Sequence, residues 1–362
     1  MDEKRVEAFS EKMVQVLNHG ALNLGVGIGY RLGLFEAMEA LDGPAPAWDI
    51  AEKAGLSSRY VREWLGCMAC GGVVEVSRNA EGNETYCLPP EHAALLCKSA
   101  GNRNLGVYMQ ELPLLANIAM DGVESGFRTG DGVDYSRYPR FHAFMSELSN
   151  AKHRQVLVDL FLPSVDDGRL EERLRQGIRV LDMGCGEGVA TILMAEAFPA
   201  STFLGLDFHG PALDAARGMA RERGLDNVEF VAGDAAEVEH RPDWAGRFDY
   251  VVAFDSVHDQ ARPLEALRGV RHALAPGGMF SMVDIAARTA HSDNLGHPMG
   301  PFLYAVSLMH CMPVGLVDGG MGLGMMWGEE RALELLAEAG FTRVDVVDMP
   351  HDPFNSHYLC RV

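Results

Sequence analysis

The sequence predicts an α/β chain: a doubly wound, largely parallel sheet with an antiparallel last strand, preceded by a mostly α winged-helix domain. Three observations predict it. From about residue 178, short apolar runs alternate with helical segments, the pattern of a parallel sheet covered by helices. The first strand-to-helix turn, Asp182-Met183-Gly184-Cys185-Gly186-Glu187-Gly188, is rich in glycine. The stretch AWDIAEKAGLSSRYVREWLGCMACGGVVEV reads as helix, turn, helix and then a β-wing.

The elements follow in order. Val6, Phe9, Met13 and Leu17 recur at three-to-four spacing, so a helix opens the chain. A second apolar helix is expected over Leu22–Ala40, ending before Gly43-Pro44. A short helix over Ile50–Ala54 meets the Gly55-Leu56 turn. Ser57 caps a helix running to about Ala69, with Gly71-Gly72 as its stop. Val73–Ser77 and Thr85–Leu88 form the wing around Gly82-Asn83. These elements make a first domain of residues 1–100. Residues 101–165 read as connecting helices, among them FHAFMSELSNAKHRQVLVDLF after Pro139. Residues 166–362 hold the sheet. IRVLDMG, STFLGLD, NVEFVAGD, FDYVVAFD and MFSMVDI are its strands, the last preceded by Pro276-Gly277-Gly278. TRVDVVDM and SHYLCRV are joined by too short a loop for a parallel crossover, so they form an antiparallel hairpin at the sheet edge.

Composition narrows the function. With 31 Lys+Arg against 51 Asp+Glu the net charge is −20. That excess disfavours nucleic acid and anionic membrane surfaces as partners, because both demand a basic face. The winged helix itself offers only Arg59 and Arg62 on SSRYVREWLG. MDEKRVEAFSEKM lacks the apolar core of a signal peptide, no stretch is long and apolar enough to span a membrane, and seven cysteines fit a reducing compartment; a cytoplasmic protein is expected.

The glycine turn points to a ligand. A dinucleotide fingerprint places its third glycine at position 189, where Val189 stands. Glu187 opens the helix where a pyrophosphate would sit, and its carboxylate repels phosphate. The turn therefore suits a nucleoside-like ligand carrying positive charge. Asp207, 25 residues after Asp182, ends the second strand and can accept two ribose hydroxyls. Asp234, in Gly233-Asp234-Ala235, ends the third strand within reach of an adenine amino group, and Phe254-Asp255 ends the fourth.

With these motifs in family order, residues 178–362 resemble the class I S-adenosylmethionine-dependent methyltransferases, whose Rossmann-like sheet has seven strands. The resemblance implies S-adenosylmethionine as cofactor and S-adenosylhomocysteine as product. It places Gly184, Gly186 and Gly188 along the methionine and ribose, with Asp182 nearby. Asp207 takes the ribose hydroxyls with Phe208 beside the adenosine, Asp234 and Ala235 the adenine edge, and Phe254 and Asp255 the methionine end. The preceding winged helix makes the chain similar to small-molecule O-methyltransferases and to a mycobacterial winged-helix methyltransferase group, through LGLFEAM, GPFLYAVSLMHCMPVGL and GLGMMWG. In those families the first domain serves dimerisation, which implies a homodimer.

His258-Asp259 follows the fourth strand, and the O-methyltransferases use the His of this pair as general base. A histidine suits that role because it titrates near neutrality. The alternative role for His258 is a packing or hydrogen-bonding contact to the cofactor. Asp259 reads as the cap of the next helix rather than as the group that orients the histidine. Phe141 and Met145 share one helix face and match the family's methyl-pocket residues; they equally suit core packing. Residues 291–327, with Tyr304, His310, Cys311 and many methionines, read as a substrate lid or as a helical pair completing the core. Glu329 is a weak candidate for assisting His258. No metal is expected: Cys67-x-x-Cys70 lacks a fourth ligand, and the insert lacks helix-type histidine spacing. The reading is an enzyme methylating a hydroxyl or thiol of a small molecule; a cofactor-sensing regulator or a non-catalytic partner subunit stays open.

Overall fold

The computed structural model describes every residue except Asp42 and the side chain of Asn102. The chain divides into two compact units, Met1–Leu114 and Leu115–Val362. The sequence-based division placed the connector 101–165 by itself; its first residues fall in the first unit and the remainder in the second.

The first unit opens with α1 (Glu3–Leu32), capped by the Asp2 carboxylate, which accepts from the amides of Lys4 and Arg5. This corrects the expectation of two helices. Nothing between Leu17 and Leu22 breaks the helix, and the stop comes at Gly33, which takes left-handed φ 70°. Then come α2 (Leu34–Glu39), α3 (Ala47–Ala54), α4 (Ser58–Cys70), β1 (Glu75–Arg78), β2 (Glu84–Cys87) and α5 (Pro90–Leu96). β1 and β2 pair antiparallel from Glu75–Cys87 to Arg78–Glu84, forming the wing. Ile50, Leu65 and Met68 lie at the centre, with Phe35 edge-on to Trp64 at 5.4 Å. Ser57 precedes α4 but its side chain makes no cap hydrogen bond. Arg59 is ion-paired with Glu63 on the outer face of α4. α6 (Glu111–Thr129) begins in the first unit and continues into the second.

In the second unit α7 (Pro139–Val156) widens into one π-type turn at Leu157–Phe161, followed by α8 (Leu162–Ser164) and α9 (Arg169–Gln176). The sheet is then wound by β3 (Arg179–Met183), α10 (Val189–Ala197), β4 (Thr202–Asp207), α11 (Gly210–Glu222), β5 (Val228–Ala232), β6 (Phe248–Phe254), α12 (Pro263–Ala273) and β7 (Leu274–Ile285). The insert carries α13 (Gly300–Met309) and α14 (Cys311–Gly315); α15 (Gly328–Glu338), β8 (Arg343–Asp348) and β9 (Asn355–Arg361) close the chain. Among the described residues the sheet has seven strands in the order β5-β4-β3-β6-β7-β9-β8. Its first five strands are mutually parallel, and β9 runs antiparallel to both β7 and β8. The expected hairpin is present, with β8 at the edge and β9 slotted inside. β3 and β6 are apolar along nearly their whole length because helices cover both faces. Leu181, Val251 and Phe280 fill one face and Val180, Tyr250 and Val252 the other. The order reverses between β3 and β6, so the crevice at their carboxyl ends is where an open α/β sheet binds ligands.

Candidate active site

The glycine turn closes that crevice from the β3 side. The Gly184 amide donates to the Leu206 carbonyl at 2.8 Å, which ties the turn to β4. Gly188 ends the turn with φ 70°, and a Cβ there would stand 2.4 Å from the Phe230 ring, so both the conformation and the space demand glycine. Gly186 also has positive φ (54°), yet a Cβ there would meet nothing within 4 Å. It therefore faces open space, a cradle in which a ligand can lie against bare backbone.

Asp207 is held beside this cradle. Its Oδ2 accepts from the Gly186 amide and its Oδ1 from the His209 amide, both at 2.8 Å. Two backbone donors fix the carboxylate and leave lone pairs for a diol. Glu187 engages Asn150 at 3.2 Å and puts an acid, not a cation, at the helix entrance. The cradle, the fixed carboxylate and the acidic helix entrance together fit the nucleoside of S-adenosylmethionine and disfavour a pyrophosphate.

The other predicted cofactor residues are placed as follows. Asp182 is buried beneath the turn, accepting from the Thr191 hydroxyl at 2.6 Å. Burial is the main force on it and lifts its pKa to about 7; the Thr191 bond opposes and Asp207 adds to the rise. It anchors α10 to β3 and supports the turn from behind. Asp234 has both oxygens engaged, with the Ala236 amide at 2.8 Å and Arg262 at 2.7 Å. Ala235 is buried and Phe208 is exposed with Tyr135 5.0 Å away. Phe254 packs against His153 and Phe161. Asp255 takes left-handed φ 47°, accepts from Asn355 at 2.8 Å and lies 3.5 Å from Lys152, which also pairs with Asp352.

The β6 loop brings the catalytic candidate to the turn. The Ser256 hydroxyl donates to the Met183 carbonyl at 3.0 Å, two residues before His258. His258 is 3% exposed, and its Nδ1–H donates to Asp284 Oδ1 at 2.7 Å. Its Nε2 stands 3.5 Å from Asp259 Oδ1. Asp284 lies near the end of β7, fully buried, and accepts in addition from the Ile285 amide. Burial by itself would lower the His258 pKa. The Asp284 and Asp259 carboxylates and the Asp284 hydrogen bond outweigh it and hold the imidazole well above its ordinary value.

Two expectations change here. Asp259 does not cap α12, whose N-cap is Arg262 without a side-chain cap bond. It faces His258 instead. The orienting carboxylate is Asp284, which sequence reasoning passed over as the end of a buried strand. Its one signal was an acid inside MFSMVDI, a run otherwise built for the core. Glu329 pairs with Arg288 at 3.4 Å.

The insert covers this dyad within the second unit. Cys311 Sγ, His258 and Asp259 present donor atoms that all lie within 4.8 Å of one another. His310 is buried, 4.0 Å from Asp259 through Nδ1, and its Nε2 has no hydrogen-bond partner. Burial lowers its pKa, opposed by Asp259 and aided by His258. Burial raises the Cys311 thiol to about 12. Phe141 and Tyr138 pack on the His310 ring at 4.6 and 4.8 Å, and the Tyr138 hydroxyl donates to the Met309 carbonyl at 2.9 Å. Tyr135 stacks on His142 at 3.6 Å, and burial together with His310 and His209 lowers the His142 pKa to about 4. Met145 is half-buried on the α7 face that carries Phe141. The Tyr304 hydroxyl accepts from Asn294 at 3.1 Å and its ring meets His291, within the insert itself.

Comparison with known proteins bears on the domains and the fold. Residues 174–340 match the family model described as a methyltransferase domain, and residues 20–98 match that of the Rv2258c-like winged helix-turn-helix domain. A demethylmenaquinone methyltransferase of Listeria welshimeri is 34% identical over 113 residues, 31% of this chain and 47% of that protein. The chain thus spans about half the length of the curated relatives it matches. Similar solved structures include human N-acetylserotonin methyltransferase in complex with SAM, at TM-score 0.69 and 15% identity, covering 97% of both chains. Mitomycin 7-O-methyltransferase superposes at TM-score 0.66 and 20% identity over 99% of this chain and 100% of its own. At such identities these likenesses establish the fold.

Proposed function

We propose that this chain, which carries a class I methyltransferase domain behind an Rv2258c-like winged-helix domain, transfers a methyl group from S-adenosylmethionine to a hydroxyl or thiol of a small molecule, with His258 as general base. The observation that carries the reading is the buried His258–Asp284 pair at the carboxyl ends of β6 and β7, one loop away from the glycine cradle. Bound there, S-adenosylmethionine supplies an activated methyl group on a sulfonium and leaves as S-adenosylhomocysteine. Gly184, Gly186 and Asp207 would hold its nucleoside, with Phe254 and Asp255 toward the methionine end.

The chain's own residues do three things. The Asp284 carboxylate holds the Nδ1 proton, which fixes the tautomer and leaves the Nε2 lone pair to accept the acceptor's proton. Asp284 and Asp259 stabilise the imidazolium that results. Phe141, Tyr138 and the buried His310 wall the space and limit water. Oxygen is favoured over sulfur as the attacking atom because a hydroxyl needs such a base more than a thiol does. The acceptor itself is a small molecule, in keeping with the names of the similar N-acetylserotonin and mitomycin methyltransferases.

A homodimer completes the reading. Val6, Phe9, Val16 and Leu17 on α1 are exposed large apolar side chains at helical spacing, a face that a second copy would cover. The Arg59–Glu63 pair on α4 and the −20 charge support a protein-binding rather than a DNA-binding role for the winged helix. The cysteines are free thiols, in keeping with a cytoplasmic setting.

The test is calorimetric titration of S-adenosylmethionine and S-adenosylhomocysteine into the wild type and Asp207→Ala, followed by a methyl-transfer screen of phenols and thiols. Binding in the micromolar range that Asp207→Ala abolishes supports the cofactor site. No binding to the wild type overturns it.

A further inference from the structure

We propose that His258 Nε2, Asp259 and Cys311 Sγ form a site for a thiophilic divalent cation of the zinc type, and that an ion bound there inhibits the enzyme. The proposal rests on the reading of His258 as base.

The donor set argues for the ion class. One imidazole, one carboxylate and one thiolate suit zinc or cobalt and are poor for magnesium or calcium, which take oxygen. The three donor atoms lie within 4.8 Å of one another. A tetrahedral ion with arms of about 2.0–2.1 Å to nitrogen and oxygen sets an edge of about 3.4 Å between them. His258 Nε2 and Asp259 Oδ1 already stand 3.5 Å apart. The thiol at the start of α14 lies within 4.8 Å of both.

Two further observations point to a ligand. Asp259 Oδ1 is buried with no hydrogen-bond partner. Buried polar atoms left in this way are uncommon and call for a counterpart. Asp284, moreover, holds the far nitrogen of His258 at 2.7 Å, the outer carboxylate that orients a metal-bound imidazole. His310 Nδ1, 3.5 Å from Cys311 Sγ and 4.0 Å from Asp259, is a fourth donor within reach.

Binding forms bonds from the ion to Nε2, a carboxylate oxygen and sulfur, and the thiol proton, with the proton that Nε2 carries when the ring is charged, passes to solvent. The Nε2 lone pair that would accept the acceptor's proton is then occupied, so methyl transfer stops. Sequence reasoning missed the site because Cys311 lies across the insert from His258-Asp259, with no fixed spacing to signal it.

The experiment titrates metal-free full-length protein with Co²⁺ alone and reads the visible bands of tetrahedral cobalt and the near-ultraviolet thiolate-to-cobalt band. One equivalent is expected to bind with both signatures. Cys311→Ser should lose the thiolate band while Cys67→Ser/Cys70→Ser retains it, and Asp284→Asn should weaken binding about 10- to 100-fold. S-adenosylhomocysteine binding by each variant checks its folding. Absence of the thiolate band, or its survival in Cys311→Ser, overturns the site. Zn²⁺ should then inhibit methyl transfer reversibly with respect to chelator; unchanged or increased turnover with Zn²⁺ bound overturns the inhibitory role. If the band is absent but His258→Ala still abolishes methyl transfer, the metal site fails and the base reading stands.

Discussion

Replacing Asp284 by Asn separates the base from its orienting charge while keeping shape. The Nδ1–Oδ1 bond of 2.7 Å joins a buried ring to a fully buried carboxylate, and that carboxylate is foremost among the groups that raise the His258 pKa against burial. A hydrogen bond to a charged partner is worth roughly 1.5–3 kcal/mol. Its loss therefore lowers the His258 pKa. The sign follows from the role. A base works when neutral, so activity falls as pH drops through its folded pKa. In Asp284→Asn that acid limb moves to lower pH. The rate on the plateau falls as well, by about 10²–10⁴-fold, because the amide supports the wrong tautomer and a weaker base. The assay is kcat/KM against pH for wild type and variant, with S-adenosylhomocysteine affinity as the folding control. A variant whose plateau lies within about two-fold of the wild type and whose limb does not move refutes the dyad.

Other perturbations test the remaining links. His258→Ala should cost about 10²–10⁴ in kcat for a hydroxyl acceptor and far less for a thiol, so the size of the loss reports the attacking atom. Gly188→Ala forces a side chain into left-handed φ and against Phe230 and should destabilise by about 1–3 kcal/mol in denaturant unfolding; an unchanged midpoint would show that the turn relaxes freely. Asp182 has a folded pKa of about 7, raised by burial, so its contribution to stability is full below pH 4 and is lost as pH rises through 7. Asp182→Asn should therefore remove on the order of 4 kcal/mol of pH dependence across that window, and parallel Tm–pH curves for the two proteins would contradict it. Phe9→Asp with Leu17→Asp should convert a dimer to monomers by light scattering, whereas a wild type already monomeric would leave the α1 face without its proposed cover.

The frame was legible because its signals are local. Strands such as β6 are apolar runs of the right length, and the turn glycines stand where positive φ is needed. The short link between β8 and β9 dictates their antiparallel pairing. His258 stands out in the sequence through the match of His258-Asp259 to the resembled family. What escaped depends on distant packing. Asp284 becomes the partner of His258 only because β7 lies beside β6, a neighbour relation that no spacing encodes. Likewise Asp182 meets Thr191 and Asp234 meets Arg262 only through the way the helices pack on the sheet. The same holds for Cys311, whose approach to His258 depends on how the insert folds back.

The electrostatics of the crevice tie these features together. Asp207 lines the cradle, Asp255 and Asp352 share Lys152, and Asp259 and Asp284 flank His258. Carboxylates thus outnumber the cations that pair with them, and the excess lies where a low dielectric strengthens each charge. A sulfonium is favoured in such a field and a pyrophosphate is not. The same field holds the His258 pKa high. A positive charge placed beside the ring pulls that pKa back toward neutrality. Cofactor binding and base activation are then coupled through one set of carboxylates, and the acid limb of kcat, read in the complex, should lie below that of kcat/KM, read from the free enzyme. Coincident limbs would mean that the cofactor's charge does not reach His258, and the base would have to be sought elsewhere in the crevice.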